Sequence, residues 1–359
     1  MTSTDPAPSW NGVPEVTARG SPWEIGFSHG SQIPQRIAAC IANYAKLFLE
    51  TAEADWTESK TRASTYLPSL EQNEPDLVEE MRGIAAGAGV EFLDVLTLNL
   101  RSEIALTNYS DGCTSLASSS TGQTYVAQNW DWVKEARDST SFFDISKNGK
   151  PRIRMLGEAG IVAKFGFNDA GVGICMNAIR CGAVDKTHLP VHLAMRRVLE
   201  CTSFDEALGI LTERGLASCV NFVIGDRTGK IATVECTPKG IAPPIVPVHS
   251  STFHTNHFWS SQVPPGIRDH GSQDSFARLE RIKELSENEK EVNVDKIRLW
   301  MSDGQGAPYA ICRSAPPGTV GFERMETLAT IIIDLQNLKA EVSFGKPSLS
   351  PPVRVMSIE

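Results

Sequence analysis

Gly112 and Cys113 follow the polar run Thr107-Asn108-Tyr109-Ser110-Asp111 and precede Thr114, and this pair could make a nucleophile by cutting its own chain. Gly112 has no Cβ, so its carbonyl is open to close approach by the Cys113 thiol, and glycine tolerates the strained backbone of an N-to-S acyl shift. Hydrolysis of the resulting thioester would expose Cys113 as a new N-terminus. Its thiol, with an ordinary pKa of about 8.5, would then share a residue with an α-amine of pKa about 7.7–8.0, so nucleophile and base come together. A cysteine is otherwise most often a small buried hydrophobe. The Gly-Cys pair alone does not separate these readings.

Three further residues could serve such a nucleophile. Asp131 lies between Trp130 and Trp132. A carboxylate there must be partnered if buried, and a cationic α-amine is a fitting partner; the plain alternative is a turn cap. Asn256, in His254-Thr255-Asn256-His257, carries an amide N–H₂ that can donate to a developing oxyanion without titrating. The flanking histidines lack a third and fourth ligand at recognisable spacing, which disfavours zinc and leaves the metal expectation at none. Arg313 follows the apolar approach Ile311-Cys312. A permanent cation carried inward there could hold Cys113 as thiolate and pair with Asp131; the alternative is a salt bridge at the rim.

The motifs around these residues decide the reading. In order they are Gly20-Ser21-Pro22-Trp23-Glu24-Ile25-Gly26, His29-Gly30, Glu80-Met81-Arg82-Gly83-Ile84-Ala85, Leu98-Asn99-Leu100-Arg101-Ser102-Glu103, Asp111-Gly112-Cys113-Thr114, Gln128-Asn129-Trp130-Asp131, Gly157-Glu158-Ala159-Gly160-Ile161, Gly166-Phe167-Asn168, His254-Thr255-Asn256-His257 and Ile311-Cys312-Arg313. From Gly20 to about Pro347 the chain resembles the fungal acyl-coenzyme A:isopenicillin N acyltransferase family of self-processing N-terminal-nucleophile hydrolases. The resemblance implies cleavage before Cys113 into subunits 1–112 and 113–359, an α/β heterodimer from one precursor. It also implies catalytic roles for Cys113, Asp131, Asn256 and Arg313, and a pocket position for Asn177. Ser218 matches a serine linked to self-processing, and Ser115 replaces a threonine of the family pattern. Trp130 and Trp132, with Phe167, suit an apolar acyl pocket.

Positioning such groups needs a rigid frame. Residues 1–19 read as a flexible leader, Pro- and Ser-rich up to about Pro14. Residues 20–112 read as mostly helical: Ile37, Cys40, Ile41, Tyr44, Leu47 and Phe48 share one face of a helix, and a second helix spans Glu74 to Ala88. Gly83, Gly87 and Gly89 follow that helical pattern and no strand, so they do not make a nucleotide loop. After Cys113 the period changes to that of strands, expected over 124–132, 152–156, 161–167, 172–177, 219–224, 231–236, 252–257, 327–335 and 340–344. Helices are expected over 191–201, from the capping sequence at Ser203 to Leu211, over 275–285 and over 294–301. Long antiparallel runs with paired helices predict an α+β fold, a four-layer αββα sandwich of the N-terminal-nucleophile type, with residues 113–359 as its core.

Composition narrows the function. A chain of 359 residues, 41% hydrophobic and 21% charged, suits a globular enzyme, and a net charge of −9 with no basic block argues against nucleic acid. The eight cysteines show no CxxC and no short even spacing, which reads as buried thiols of a reducing compartment. With no apolar secretory or membrane-spanning run, and with a C-terminal Ser357-Ile358-Glu359 unlike a peroxisomal tripeptide, the expected location is the cytoplasm. The resemblance implies an N-acyltransferase that forms an amide on a small secondary metabolite, with acyl-coenzyme A as substrate and no bound cofactor. An amidohydrolase is the alternative, and a non-catalytic binding protein of the same fold a weaker one. Lys134, Arg180 and Lys186 are candidates for a basic pocket mouth that would take coenzyme A.

Overall fold

The computed structural model describes residues 12–105, 112–247, 250–321 and 324–359. It begins with a strand, β1 (Glu15–Gly20), and then a run of helices: α1 (Pro22–Gln32), α2 (Pro34–Thr51), α3 (Trp56–Ser64), α4 (Leu67–Asn73), α5 (Pro75–Ala88), α6 (Phe92–Asn99) and α7 (Arg101–Ala105). After Cys113 come β2 (Thr114–Ser120), β3 (Gln123–Val133), β4 (Thr140–Lys147), β5 (Ile153–Glu158), β6 (Phe165–Asn168) and β7 (Val172–Ala178). Helices α8 (Val191–Leu199) and α9 (Phe204–Arg214) lead to β8 (Val220–Asp226), β9 (Ile231–Thr237), β10 (Gly240–Ile241) and β11 (Ser251–His254). The chain closes with α10 (Gln273–Ser286), α11 (Val294–Met301), β12 (Met325–Asp334), β13 (Lys339–Phe344) and β14 (Val353–Ser357).

Local sequence explains the helix ends. Ser21 and Glu24 form a reciprocal capping box at the start of α1, with Pro22 in its first turn. At α9, Ser203 accepts the Glu206 backbone N–H, while the Glu206 carboxylate caps Thr202 instead of Ser203. Helices α1 and α5 cross at backbone contact. A Cβ on Gly26 would lie 1.9 Å from the Glu80 carbonyl oxygen, and one on Gly83 would lie 2.4 Å from that of Trp23. Glycine at these positions serves close packing between two helices.

Two sheets form the centre. One has eight strands in the order β1-β4-β5-β6-β7-β8-β9-β10, the other six in the order β11-β2-β3-β12-β13-β14. Side chains alternate across β3 as a pleated strand requires. Val126, Trp130 and Trp132 enter the main apolar core, and Gln128 reaches across it to accept the Met176 N–H of β7 at 2.9 Å. Ala127 faces outward into a second cluster with Leu279, Ile282, Ile297 and Trp300. Asn129, on that outer side, caps the carbonyls of Met301 and Ile311 at 2.8 and 2.9 Å. Helices α10 and α11 thus cover the six-stranded sheet. On the far side, Asn168 holds the carbonyls of Leu199 and Cys201 and ties α8 to the eight-stranded sheet. The layers run α, β, β, α, as the sequence predicts. No helix among the described residues is long and apolar enough to cross a membrane.

Three expectations are corrected. Residues Glu15–Gly20 are not part of a flexible leader but a strand that pairs in parallel with β4, Val16 opposite Phe143. Cys181 and Cys219 are joined in a disulfide, Cα–Cα 6.2 Å, so the cysteines are not all thiols; a separation of 38 residues gave no spacing signal. The strand expected over 161–167 starts only at Phe165, because the Val162 N–H bonds the Asn99 side chain instead of a neighbouring strand. The polar loop that leads to Gly112 falls on residues 106–111, outside the described residues.

Candidate active site

The pairing of β2 with β3 sets Thr114 opposite Asn129. Continued by one residue, this antiparallel register brings Cys113 level with Trp130, and by two it brings Gly112 level with Asp131. The Gly112–Cys113 peptide therefore runs past Asp131 on the neighbouring strand. Cys113 is buried and joins Trp130 and Phe165 in the main core. Ser115, two residues on, donates to the Asn177 side chain from the same inner face.

Two donors hold the Cys113 carbonyl oxygen. The Asn177 amide reaches it from inside the sandwich at 3.3 Å, and Arg278 from α10 reaches it on the outer side at 2.7 Å. Arg278 also donates to Thr114 Oγ1 at 3.1 Å and to Asn256 Oδ1 at 3.0 Å. That last bond turns the Asn256 carbonyl towards the guanidinium, leaving its N–H₂ to donate elsewhere, and one N–H reaches the Ala178 carbonyl at 3.1 Å. Burial pushes the Arg278 pKa down, while the charges of Asp274, Asp131 and Cys113 pull it back up. Cation, carboxylates and thiol form one electrostatic group.

Asp131 and Arg313 are linked, but not as an ion pair. Thr327 of β12, cross-strand from Asp131, donates its hydroxyl to Asp131 Oδ1 at 2.7 Å and accepts the Arg313 backbone N–H at 2.9 Å. The Arg313 guanidinium instead pairs with Asp274 at 2.9 Å and lies over the Tyr309 ring. It also fills the space beside Gly112, where a Cβ would meet Nη1 at 2.7 Å. The expected Arg313–Asp131 pair is thus replaced by an Arg313–Asp274 pair with Thr327 as the link.

A cleft of about 260 Å³ opens on this group, lined by Asp274, Arg278, Arg281, Tyr309 and Ile311. Its cations are Arg278 and Arg281, not Lys134, Arg180 or Lys186. A larger groove of about 420 Å³, beside Phe253 and Trp259, includes none of the residues around Cys113. Ser218 stands apart from the Cys113 carbonyl clamp: it donates to Glu103 of α7 at 2.9 Å, on the last helix described before Gly112. Trp132 is covered by Arg101, and Trp130 by the ammonium of Lys164 at 3.4 Å. His254 is buried and bonds Glu235 at 2.8 Å, and His257 bonds Ser275; both support the Asn256 segment.

Sequence reasoning missed Arg278, Asp274, Thr327 and Lys164. Two of these left a signal. Arg278 shares the buried face of α10 with Ser275, Leu279 and Ile282, and Lys164 interrupts the apolar run Ile161-Val162-Ala163-Lys164-Phe165. A cation on an apolar face is a group that the interior must partner.

Residues 118–349 match the family model described as acyl-coenzyme A:6-aminopenicillanic acid acyl-transferase. The acyl-coenzyme A:6-aminopenicillanic-acid-acyltransferase 40 kDa form of Emericella nidulans is 30% identical over 344 residues, 95% of each chain. The chain belongs to this acyltransferase family. A β-alanyl-dopamine/carcinine hydrolase of Drosophila melanogaster is 22% identical over 391 residues, 98% of each chain. Among solved structures, a variant of the conjugated bile acid hydrolase of Clostridium perfringens aligns at 13% identity and a TM-score of 0.45, over 68% of this chain and 92% of that one. As a member of the acyl-coenzyme A:6-aminopenicillanic acid acyl-transferase family, the protein is an enzyme of acyl transfer or amide hydrolysis.

Proposed function

We propose that the protein cuts itself between Gly112 and Cys113 and then uses Cys113 to carry an acyl group as a thioester. The observation that carries this reading is the register of β2 on β3, which runs the Gly112–Cys113 peptide past Asp131 while Arg278 and Asn177 fix the Cys113 carbonyl. In the cut, the thiol adds to the Gly112 carbonyl and the Cys113 nitrogen leaves as an amine after gaining a proton. Water then hydrolyses the Gly112 thioester, giving a Gly112 carboxylate and a free N-terminal Cys113.

In turnover the new α-amine takes the thiol proton and the sulfur adds to the acyl carbonyl of the donor. Collapse expels the donor's thiol or amine, which recovers the proton from the α-ammonium. An acceptor amine or water next attacks the thioester, the α-amine takes its proton, and the Cys113 thiol is restored as the amide or acid departs. Asp131, with Thr327 donating to it, orients the α-ammonium; Asn256 supplies a donor to the tetrahedral oxyanion. The sequence needs no metal or redox cofactor. The activity named for the Emericella nidulans relative supports an acyl-coenzyme A donor and transfer to a small amine. Hydrolysis is the second reading, supported by the hydrolase relative. Pieces 1–112 and 113–359 stay together as a heterodimer.

The test combines cleavage with acyl capture. Divided by length, the 39.1 kDa chain yields bands of roughly 12 and 27 kDa on a denaturing gel, and Cys113→Ala stays whole. Processed protein given an acyl-coenzyme A gains the acyl mass on Cys113 and passes it to an added amine. An active chain that remains whole sinks the proposal; small amides hydrolysed with no acyl-enzyme from any thioester replace transfer by hydrolysis.

A further inference from the structure

Lys164 is 1% exposed, and nothing in the mechanism above uses it. Its ammonium lies 3.4 Å from the centre of the Trp130 ring, 5.0 Å from that of Phe165 and 2.5 Å from Glu158 Oε2. Trp130 is the residue that the β2–β3 register sets level with Cys113, and both side chains enter the same inter-sheet core. The ammonium therefore sits on the ring that lies level with the thiol. Its charge and that of a Cys113 thiolate favour each other.

The groups facing this spot come from every packed element. Glu158 of β5 accepts the Tyr44 hydroxyl of α2 at 2.8 Å and pairs with Arg101 of α7 at 3.4 Å. Burial keeps the thiol of Cys40, also on α2, protonated and His192 of α8 neutral. On the outer side stand Arg278 and Asp131, which interact with each other. Inside the sandwich Lys164 and Arg101 share the carboxylate of Glu158, and Glu103, also buried on α7, interacts with Arg101. Lys164 is the cation seated on the Trp130 face, where water cannot screen it. Burial lowers the Lys164 pKa to about 8 against the pull of Glu158, so the ammonium persists at neutral pH.

We propose that Lys164, seated on Trp130 and anchored by Glu158, is a positioning residue that stabilises the Cys113 thiolate of the processed enzyme. The proposal rests on Cys113 being the nucleophile. The thiol proton passes to the Cys113 α-amine, and the sulfur is left level with the ring on which the ammonium sits; no bond to carbon forms or breaks in this step.

Titration of thiolate absorbance on processed protein, with Cys113→Ala as the blank, reads this directly, because burial holds the thiols of Cys40, Cys175, Cys201, Cys236 and Cys312 above their usual range. Lys164→Met raises the Cys113 midpoint by about one pH unit or more, as loss of a nearby opposite charge does, and lowers kcat/KM at neutral pH about tenfold for each unit. Lys164→Arg keeps the wild-type midpoint. Lys164→Gln, which removes the same charge while keeping a polar partner for Glu158, carries the comparison where Lys164→Met does not fold. A folded Lys164→Met chain that no longer cuts itself, beside a Lys164→Arg chain that does, supports the same role. A wild-type midpoint in both neutral variants overturns it. Full turnover by Cys113→Ala overturns instead the nucleophile reading on which it stands.

Discussion

Replacing Arg278 by methionine tests the part of the site that no sequence motif announced. The guanidinium is buried and donates to the Cys113 carbonyl at 2.7 Å, to Thr114 and to Asn256. Methionine keeps much of the length and apolar bulk, and Asp274 retains Arg313 at 2.9 Å, so no carboxylate is orphaned. A hydrogen bond from a charged donor contributes about 1.5–3 kcal/mol. At about 1.4 kcal/mol per decade, losing the bond that fixes Cys113 lowers kcat about 10- to 150-fold. Self-cleavage slows by a similar factor, because both reactions need Cys113 in place. Folding stability falls by less, since burying the guanidinium is itself unfavourable. Cleavage is followed on denaturing gels, turnover on the fraction that has cut, and denaturant midpoints in a Cys113→Ala background where cutting cannot intervene. Wild-type cleavage and turnover in a folded Arg278→Met protein would refute the clamp.

Two other outcomes follow from burial. Gly26→Ala forces a Cβ to within 1.9 Å of the Glu80 carbonyl oxygen, so α1 and α5 must separate; stability drops by more than about 3 kcal/mol, beyond the usual range of point substitutions, and a normal denaturant midpoint would contradict the helix contact. His29 is buried, accepts the Gly160 N–H at 3.0 Å, and is held neutral by burial down to about 3. Its folded pKa lies below the unfolded value of about 6.5, so the unfolded chain binds the extra proton first. The stability this residue contributes is complete above pH about 6.5 and is lost towards pH about 3, at up to about 1.4 kcal/mol per pH unit. His29→Gln flattens that limb of a stability-versus-pH curve; an unchanged slope would remove His29 from the account.

Local pattern and register made one half of the site readable. Gly112 and Cys113 lead directly into β2 and Asp131 lies on the adjacent β3, so alternation and a hairpin suffice to bring them together. The other half depends on pairings between remote elements. Arg278 and Asp274 come from α10, Thr327 from β12, and no spacing links an arginine near residue 278 with a carbonyl at 113. Arg313 was correctly expected to turn inward, but its partner depended on which carboxylate α10 delivers. In the fold, β1 escaped notice because only Val16 and Ala18 are buried along it, too few for an alternation to stand out beside the proline-rich start. β4 escaped for the opposite reason: its buried run Thr140–Ile145 has no polar alternation at all, as befits a strand covered on both faces.

The parallel pairing of β1 with β4 sets the terms on which the protein could survive the cut proposed above. β1 precedes Gly112 and β4 follows it, so a cut after Gly112 leaves a single sheet built from two polypeptides. Folding of the newborn chain is unimolecular, but reassembly of the separated pieces is bimolecular and depends on their concentration. Lost together with α1, β1 would uncover β4 as a bare edge, open to pairing with other copies. The proposed cut would therefore have to follow assembly of the sheet. A cut chain, once denatured, would compete against its own aggregation, and the uncut Cys113→Ala chain is expected to refold reversibly when diluted.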